Sequence, residues 1–139
     1  MNLPTIIDHA ASDEQDIPCA TCGRKVKRAV GFSDRPGYHG LDCAARILGR
    51  PKSRQSFDAI EHEARIAKAR ASGTAAGDAM RRAMGRLPSR GDIEREGCSP
   101  LESHARHVAL RARLHAPYPE HSAESHAWND AAATEWGRK

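Results

Sequence analysis

Apolar residues along this chain recur mainly at helical spacing, and most of them are small. Leu41–Leu48 reads as a short helix stopped by Gly49 and Pro51. In the stretch 56–71, Phe57, Ile60, Ala64, Ala67 and Ala71 share one helical face. In the stretch 77–86, Met80, Met84 and the following Leu87 do the same, and Ser72-Gly73-Thr74 between the two stretches reads as a breaker. Further breakers stand at Leu87-Pro88-Ser89-Arg90-Gly91 and Ala116-Pro117-Tyr118-Pro119. Ser99-Pro100-Leu101-Glu102 is a capping box with proline at the first helical position. It predicts a helix to about Leu114 with Leu101, Ala105, Val108 and Ala112 on its inner stripe. A last helix is predicted from Ala123 to Glu135, with Trp128, Ala131, Ala132 and Glu135 or Trp136 along one side. Strand signal is confined to Lys25–Phe32, where Val26, Val30 and Phe32 alternate and Arg28 shares their parity. No internal repeat is present.

Composition makes this pattern a thin one. The chain has 139 residues, 39% of them hydrophobic, but 24 of those are alanine, and Val, Ile, Leu and Phe together number 19. Alanine stripes bury little area per residue, so the fold needs a staple or a partner. Phe57, Met80, Met84, Trp128 and Trp136 are the available anchors. Phe57 is expected in the chain's own core, and the two tryptophans are expected at a contact with a second subunit or a host protein. No run approaches ~20 apolar residues, so no transmembrane helix is predicted. The first sixteen residues are acidic and lack the basic start of a secretory leader. The expected compartment is a reducing cytoplasm, where spaced cysteine pairs read as metal ligands before disulfides.

Charge then divides the chain. Residues 1–22 carry −4, while residues 23–54 carry nine basic side chains against two acidic ones, net +7, more than the +4 of the whole chain. The block consists of Arg24, Lys25, Lys27, Arg28, Arg35, Arg46, Arg50, Lys52 and Arg54. Such a block is the footprint of a phosphate-backbone ligand or, in the blander reading, a solvated surface. It divides the chain into an acidic segment 1–16, a basic module 17–54, a helical segment 55–95 and C-terminal helices 96–139.

The basic module also carries the chemistry. Cys19-Ala20-Thr21-Cys22 is followed after sixteen residues by His39-Gly40-Leu41-Asp42-Cys43. Two thiolates three positions apart grip one ion from a tight turn, and four soft ligands close a structural zinc site. If the helix begins at His39 or Gly40, His39 and Cys43 fall four apart on one face. Pro36-Gly37 before them suits the centre of a type II turn. The order is then cysteine turn, short hairpin, and a helix holding the last two ligands, Cys19, Cys22, His39 and Cys43 around Zn2+ in a treble clef. The competing reading is a reduced cysteine pair in a small core.

Cys19-x-x-Cys22-Gly23-Arg24 and Cys43-Ala44-Ala45-Arg46-Ile47-Leu48-Gly49 resemble the small treble-clef fingers of bacterial and phage proteins, over residues 17–50. The intervening gap is similar to that of GATA-type and LIM-type fingers. His39 stands where many of these have cysteine, and the final gap is three residues rather than two. The resemblance implies a structural metal and a binding role.

A second metal site from Cys98, His104 and His107, completed by His115, His121 or His126, is a weaker candidate, as is Cys98 replacing His39. No metalloprotease, phosphate-loop or serine-elbow motif is present, and a closed four-ligand zinc activates no water, so a non-enzyme is expected. The sequence thus predicts an α-rich small protein, a treble-clef zinc finger followed by three or four helices. Its expected function is regulatory nucleic-acid binding, DNA before RNA, through Arg24, Lys25, Lys27, Arg28, Arg46, Arg50, Lys52 and Arg54. The alternative is an adaptor or inhibitor module that meets a host protein through the basic finger and the helices, the basic patch facing an acidic protein surface. Self-association through the C-terminal helices is a further expectation.

Overall fold

The computed structural model describes residues 3–138. These contain five strands and five helices in the order β1 (Ile6–Ala11), β2 (Ile17–Pro18), β3 (Lys25–Val26), β4 (Arg28–Phe32), β5 (Arg35–Gly40), α1 (Leu41–Leu48), α2 (Arg54–Met84), α3 (Arg90–Arg95), α4 (Pro100–Arg111) and α5 (Ala123–Trp136). The chain divides into two compact units, Met1–Lys68 and Ala69–Lys139, so that α2 contributes residues 54–68 to the first and 69–84 to the second.

In the first unit, β1, β4 and β5 form an antiparallel sheet with β4 in the middle, and β2 and β3 form a separate two-stranded ribbon. Val30 pairs with His9 on one side and His39 on the other. Directly opposed residues of antiparallel strands point to the same face, so these three side chains form one row across the sheet, all buried. Helix α1 covers this sheet: Ala44, Ala45 and Leu48 pack with Val30 and Phe32, and Ile60 and Ala64 of α2 complete the core. Phe57 packs against the same cluster, as expected.

Strand signal is therefore not confined to residues 25–32. The acidic N-terminal segment supplies β1, held to α2 by polar contacts. His9 Nε2 lies 3.1 Å from a Glu61 carboxylate oxygen, and Lys68 Nζ donates to the His9 carbonyl at 3.0 Å. Glu61 also receives Arg28 at 3.2 Å and Arg65 at 3.2 Å. The hairpin turn falls at Ser33-Asp34, not at Pro36-Gly37. Those two residues lie inside β5, where the register is irregular. β5 is an edge strand, which is where a residue without an N–H is tolerated.

In the second unit, Gly73 does not break a helix. One continuous helix replaces the two expected segments. Gly73 and Gly77, four apart on α2, face the backbone of Trp128 and Ala132, four apart on α5, and a Cβ at either glycine would land on the facing carbonyl oxygen. Small residues here allow close approach of two helices. Trp128 and Trp136 are buried within this unit rather than presented to a partner, and the Trp136 indole N–H donates to the Gly85 carbonyl at 2.9 Å. Ser99 caps α4 with Pro100 behind it, as predicted. Its buried residue, however, is Ser103, and the expected inner stripe of Leu101, Ala105, Val108 and Ala112 faces solvent. No helix among the described residues is long and apolar enough to cross a membrane.

Candidate metal centre

The knuckle is built by the β2–β3 ribbon. The backbone reverses between Pro18 and Lys25, with Cys19 N–H donating to the Arg24 carbonyl at 2.8 Å and Gly23 N–H to the Cys19 carbonyl at 2.8 Å. Gly23 sits at φ +78, where a side chain would be strained. The Ala20 N–H donates to the Tyr38 carbonyl at 2.8 Å and ties the knuckle to β5. Cys43 arrives from the other side, in the first turn of α1.

These elements bring Cys19, Cys22 and Cys43 together: their three sulfur atoms lie within 4.8 Å of one another. Cys19 and Cys43 are buried, and Cys22 is exposed. The Gly40 N–H points at Cys19 Sγ at 3.4 Å. Burial alone would push the Cys19 thiol up. The backbone N–H groups of Cys22, Gly40 and Thr21 outweigh it and bring the group down to about 7 from 9.0. Burial, and then the two neighbouring sulfurs, push Cys43 up to about 11 from 9.0. Backbone N–H groups aimed at a sulfur favour the thiolate, the form that ligates metal. Three converging sulfurs are a donor set suited to a thiophilic ion.

His39 is not brought into this cluster. The helix starts at Leu41, not at His39, and Gly40 is its N-cap with extended backbone. His39 therefore belongs to a strand, and the four-apart helical spacing that was to align it with Cys43 does not exist. Its ring lies on the sheet face beside Phe32, ring centroids 5.5 Å apart. Nδ1 is 2.7 Å from Thr21 Oγ1, and Nε2 is buried without a partner. Burial, and then the charge of Arg35, lower its pKa, so the ring is neutral near pH 7.

A cleft of about 380 Å3 opens at the cysteines. Cys19, Cys22 and Cys43 line it together with Arg24, Arg28, Arg46 and Lys52, and among the described residues Asp42 is the one acidic side chain in its lining. Of the expected basic set, Arg28 is engaged by Glu61 and Arg50 by Glu63, the latter at 2.9 Å. Arg24, Lys25, Lys27, Arg46, Lys52 and Arg54 are exposed and enter no ion pair among the described residues.

Cys98, His104 and His107 enter no metal-ligating cluster among the described residues. His107 Nδ1 instead lies 3.1 Å from the Pro88 carbonyl, to which it donates. The residue that sequence reasoning missed is Thr21. Nothing in its spacing marks it, because its role depends on His39, eighteen residues away on β5. Comparison with protein-family models, with curated proteins and with solved structures returns no match to this chain.

Proposed function

We propose that residues 17–54 are a metal-stapled, treble-clef-like module that binds the phosphate backbone of nucleic acid, duplex DNA before RNA, in a binding rather than catalytic role. The order of knuckle, hairpin and helix supports the treble-clef reading, and the all-sulfur donor set favours Zn2+ as the ion. Cys19, Cys22 and Cys43 would hold the metal, which supplies rigidity to a short knuckle that has little core of its own. The observation that carries the nucleic-acid reading is the rim of the cleft. Arg24, Arg46 and Lys52, unpaired among the described residues, line the same opening as the cysteines. The staple and the cationic surface are thus one local structure, and ordering the knuckle also orders the cations.

The test is fluorescence anisotropy with labelled duplex DNA, single-stranded DNA and RNA across a salt series. Log affinity should fall with log salt at about −0.9 per phosphate neutralised on duplex. The triple reversal Arg24→Glu, Arg46→Glu, Lys52→Glu should abolish binding with metal content unchanged. No binding to any of the three nucleic acids at moderate salt overturns the reading. A protein-interaction module is the second reading, favoured by the solvent-facing Leu101 and Val108 on α4, 80% and 51% exposed. Capture of a protein from nuclease-treated lysate, lost on Leu101→Asp, would select it.

A further inference from the structure

The metal-centre reading above leaves the fourth ligand to be found, and the inference here rests on that reading. We infer that the ion held by Cys19, Cys22 and Cys43 takes its fourth ligand from solution, through the cleft, as an exchangeable water or small monodentate anion.

Three observations carry this. No carboxylate, imidazole or further thiol among the described residues joins the three sulfurs. Asp42, next to Cys43 and lining the cleft, is outside the cluster, and so is His39, whose Nδ1 lies 2.7 Å from Thr21 Oγ1. Second, all three cysteines line the cleft and Cys22 is exposed, so the centre has a path to solvent. Third, the lining has the right charge. A divalent ion with three thiolates is a −1 centre, which would ordinarily repel an anion. Arg24, Arg46 and Lys52 around it, with Arg28 already paired to Glu61, stand against Asp42 and reverse that balance at the cleft wall. An open position on a metal is what separates a site that exchanges ligands from one that only staples a fold.

The rival donor lies on β5. His39 Nε2 is buried and partnerless, and a turned ring would offer it as a fourth donor in place of an outside ligand. The two differ in what the metal's spectrum responds to.

The experiment substitutes Co2+ into the full chain and reads its visible absorption. One equivalent should bind with thiolate charge-transfer bands. Azide, added as the probe anion, should shift the ligand-field bands in a saturable way. In the zinc-loaded wild-type protein, the His39 Nε2 nitrogen shift should stay outside the metal-bound range, a measurement that needs no variant to fold. His39→Gln should keep both the stoichiometry and the azide response. Ligand-field bands indifferent to azide, or a His39 Nε2 shift that moves to the metal-bound range on loading, overturns the inference while leaving the metal centre intact. Failure to bind Co2+ or Zn2+ at all overturns the metal centre itself, and this inference with it.

Discussion

The imidazole of His39 and the hydroxyl of Thr21 are joined at 2.7 Å, Nδ1 to Oγ1, across the seam between strand β5 and the cysteine knuckle. Thr21 stands between two cysteines, and its own backbone N–H is one of those that lower the Cys19 thiol. The histidine is thus tied to the cysteine knuckle through the Thr21 hydroxyl. Replacing Thr21 by Val keeps the shape and removes the hydroxyl partner of a buried ring. The expected loss is about 1–3 kcal/mol, the range for leaving a buried polar group unsatisfied. Urea denaturation of the zinc-loaded variant against the zinc-loaded wild type measures it. Metal stoichiometry should be unchanged, because no ligating atom is lost.

Removal of the metal is the second expectation. Structural zinc contributes on the order of 10–16 kcal/mol in small finger peptides at neutral pH. Chelation should therefore free the amides that hold the knuckle, those of Cys19, Ala20 and Gly23, to exchange with solvent. The Val30 and His39 amides in the three-stranded sheet should lose less protection, since Phe32, Leu48 and Ile60 still pack there. Cys22→Ser should reproduce the pattern without chelator. Equal exchange at the knuckle with and without metal would remove the staple from the account.

The cysteine knuckle and the helix after it were legible because ligand spacing and helix stops are local. Leu41–Leu48 and the Ser99 cap lie where the residues put them. The misreadings share one cause, which is tertiary contact overriding local preference. Pro36-Gly37 has strong turn chemistry, yet an edge strand with an irregular register absorbs both, and the chain turns at Ser33-Asp34 instead. Gly73 has breaker chemistry, yet it lies inside a helix because the backbone of α5 passes too close for any side chain. β1 is invisible in a charged segment because its fixings, His9 to Glu61 and Lys68 to the His9 carbonyl, come from more than fifty residues away. His39 fails as a helical ligand for a smaller reason: the helix begins two residues later than that alignment requires.

The α2–α5 contact makes a sharp third expectation. Gly73→Ala and Gly77→Ala would improve helix propensity by ~1 kcal/mol each if propensity decided. Here the added methyl groups meet the carbonyl oxygens of Trp128 and Ala132, so each should destabilise instead. Overpacking costs typically ~1–3 kcal/mol, and a backbone oxygen yields less readily than a side chain. Thermal melts of Gly73→Ala, Gly77→Ala and an exposed control, Ala75→Gly, give the comparison. A rise in Tm for either glycine variant would show that the helices are not in contact there.

Acid provides the last expectation, at helix α3. The Asp92 carboxylate accepts from the Ser89 N–H at 3.0 Å while Ser89 Oγ accepts from the Asp92 N–H at 3.1 Å, a reciprocal cap. The Ser89 backbone and then its hydroxyl hold the Asp92 carboxyl below its ordinary 3.8, with Arg86 and Arg95 adding to the effect. A carboxyl whose folded pKa is depressed stabilises the fold above its unfolded value and loses that contribution as pH falls through the folded one. The cap should therefore be at full strength above about pH 5 and fade as the pH drops below 3.8 toward the folded pKa. NMR titration of the Asp92 carboxyl and of the Ser89 amide should report one shared transition in that range. Asp92→Asn keeps a side-chain acceptor for the Ser89 N–H but carries no titrating charge, so the Ser89 amide should lose its acid transition. If that transition survives in Asp92→Asn, the Ser89 amide is reporting some other group and the cap is not what acid undoes.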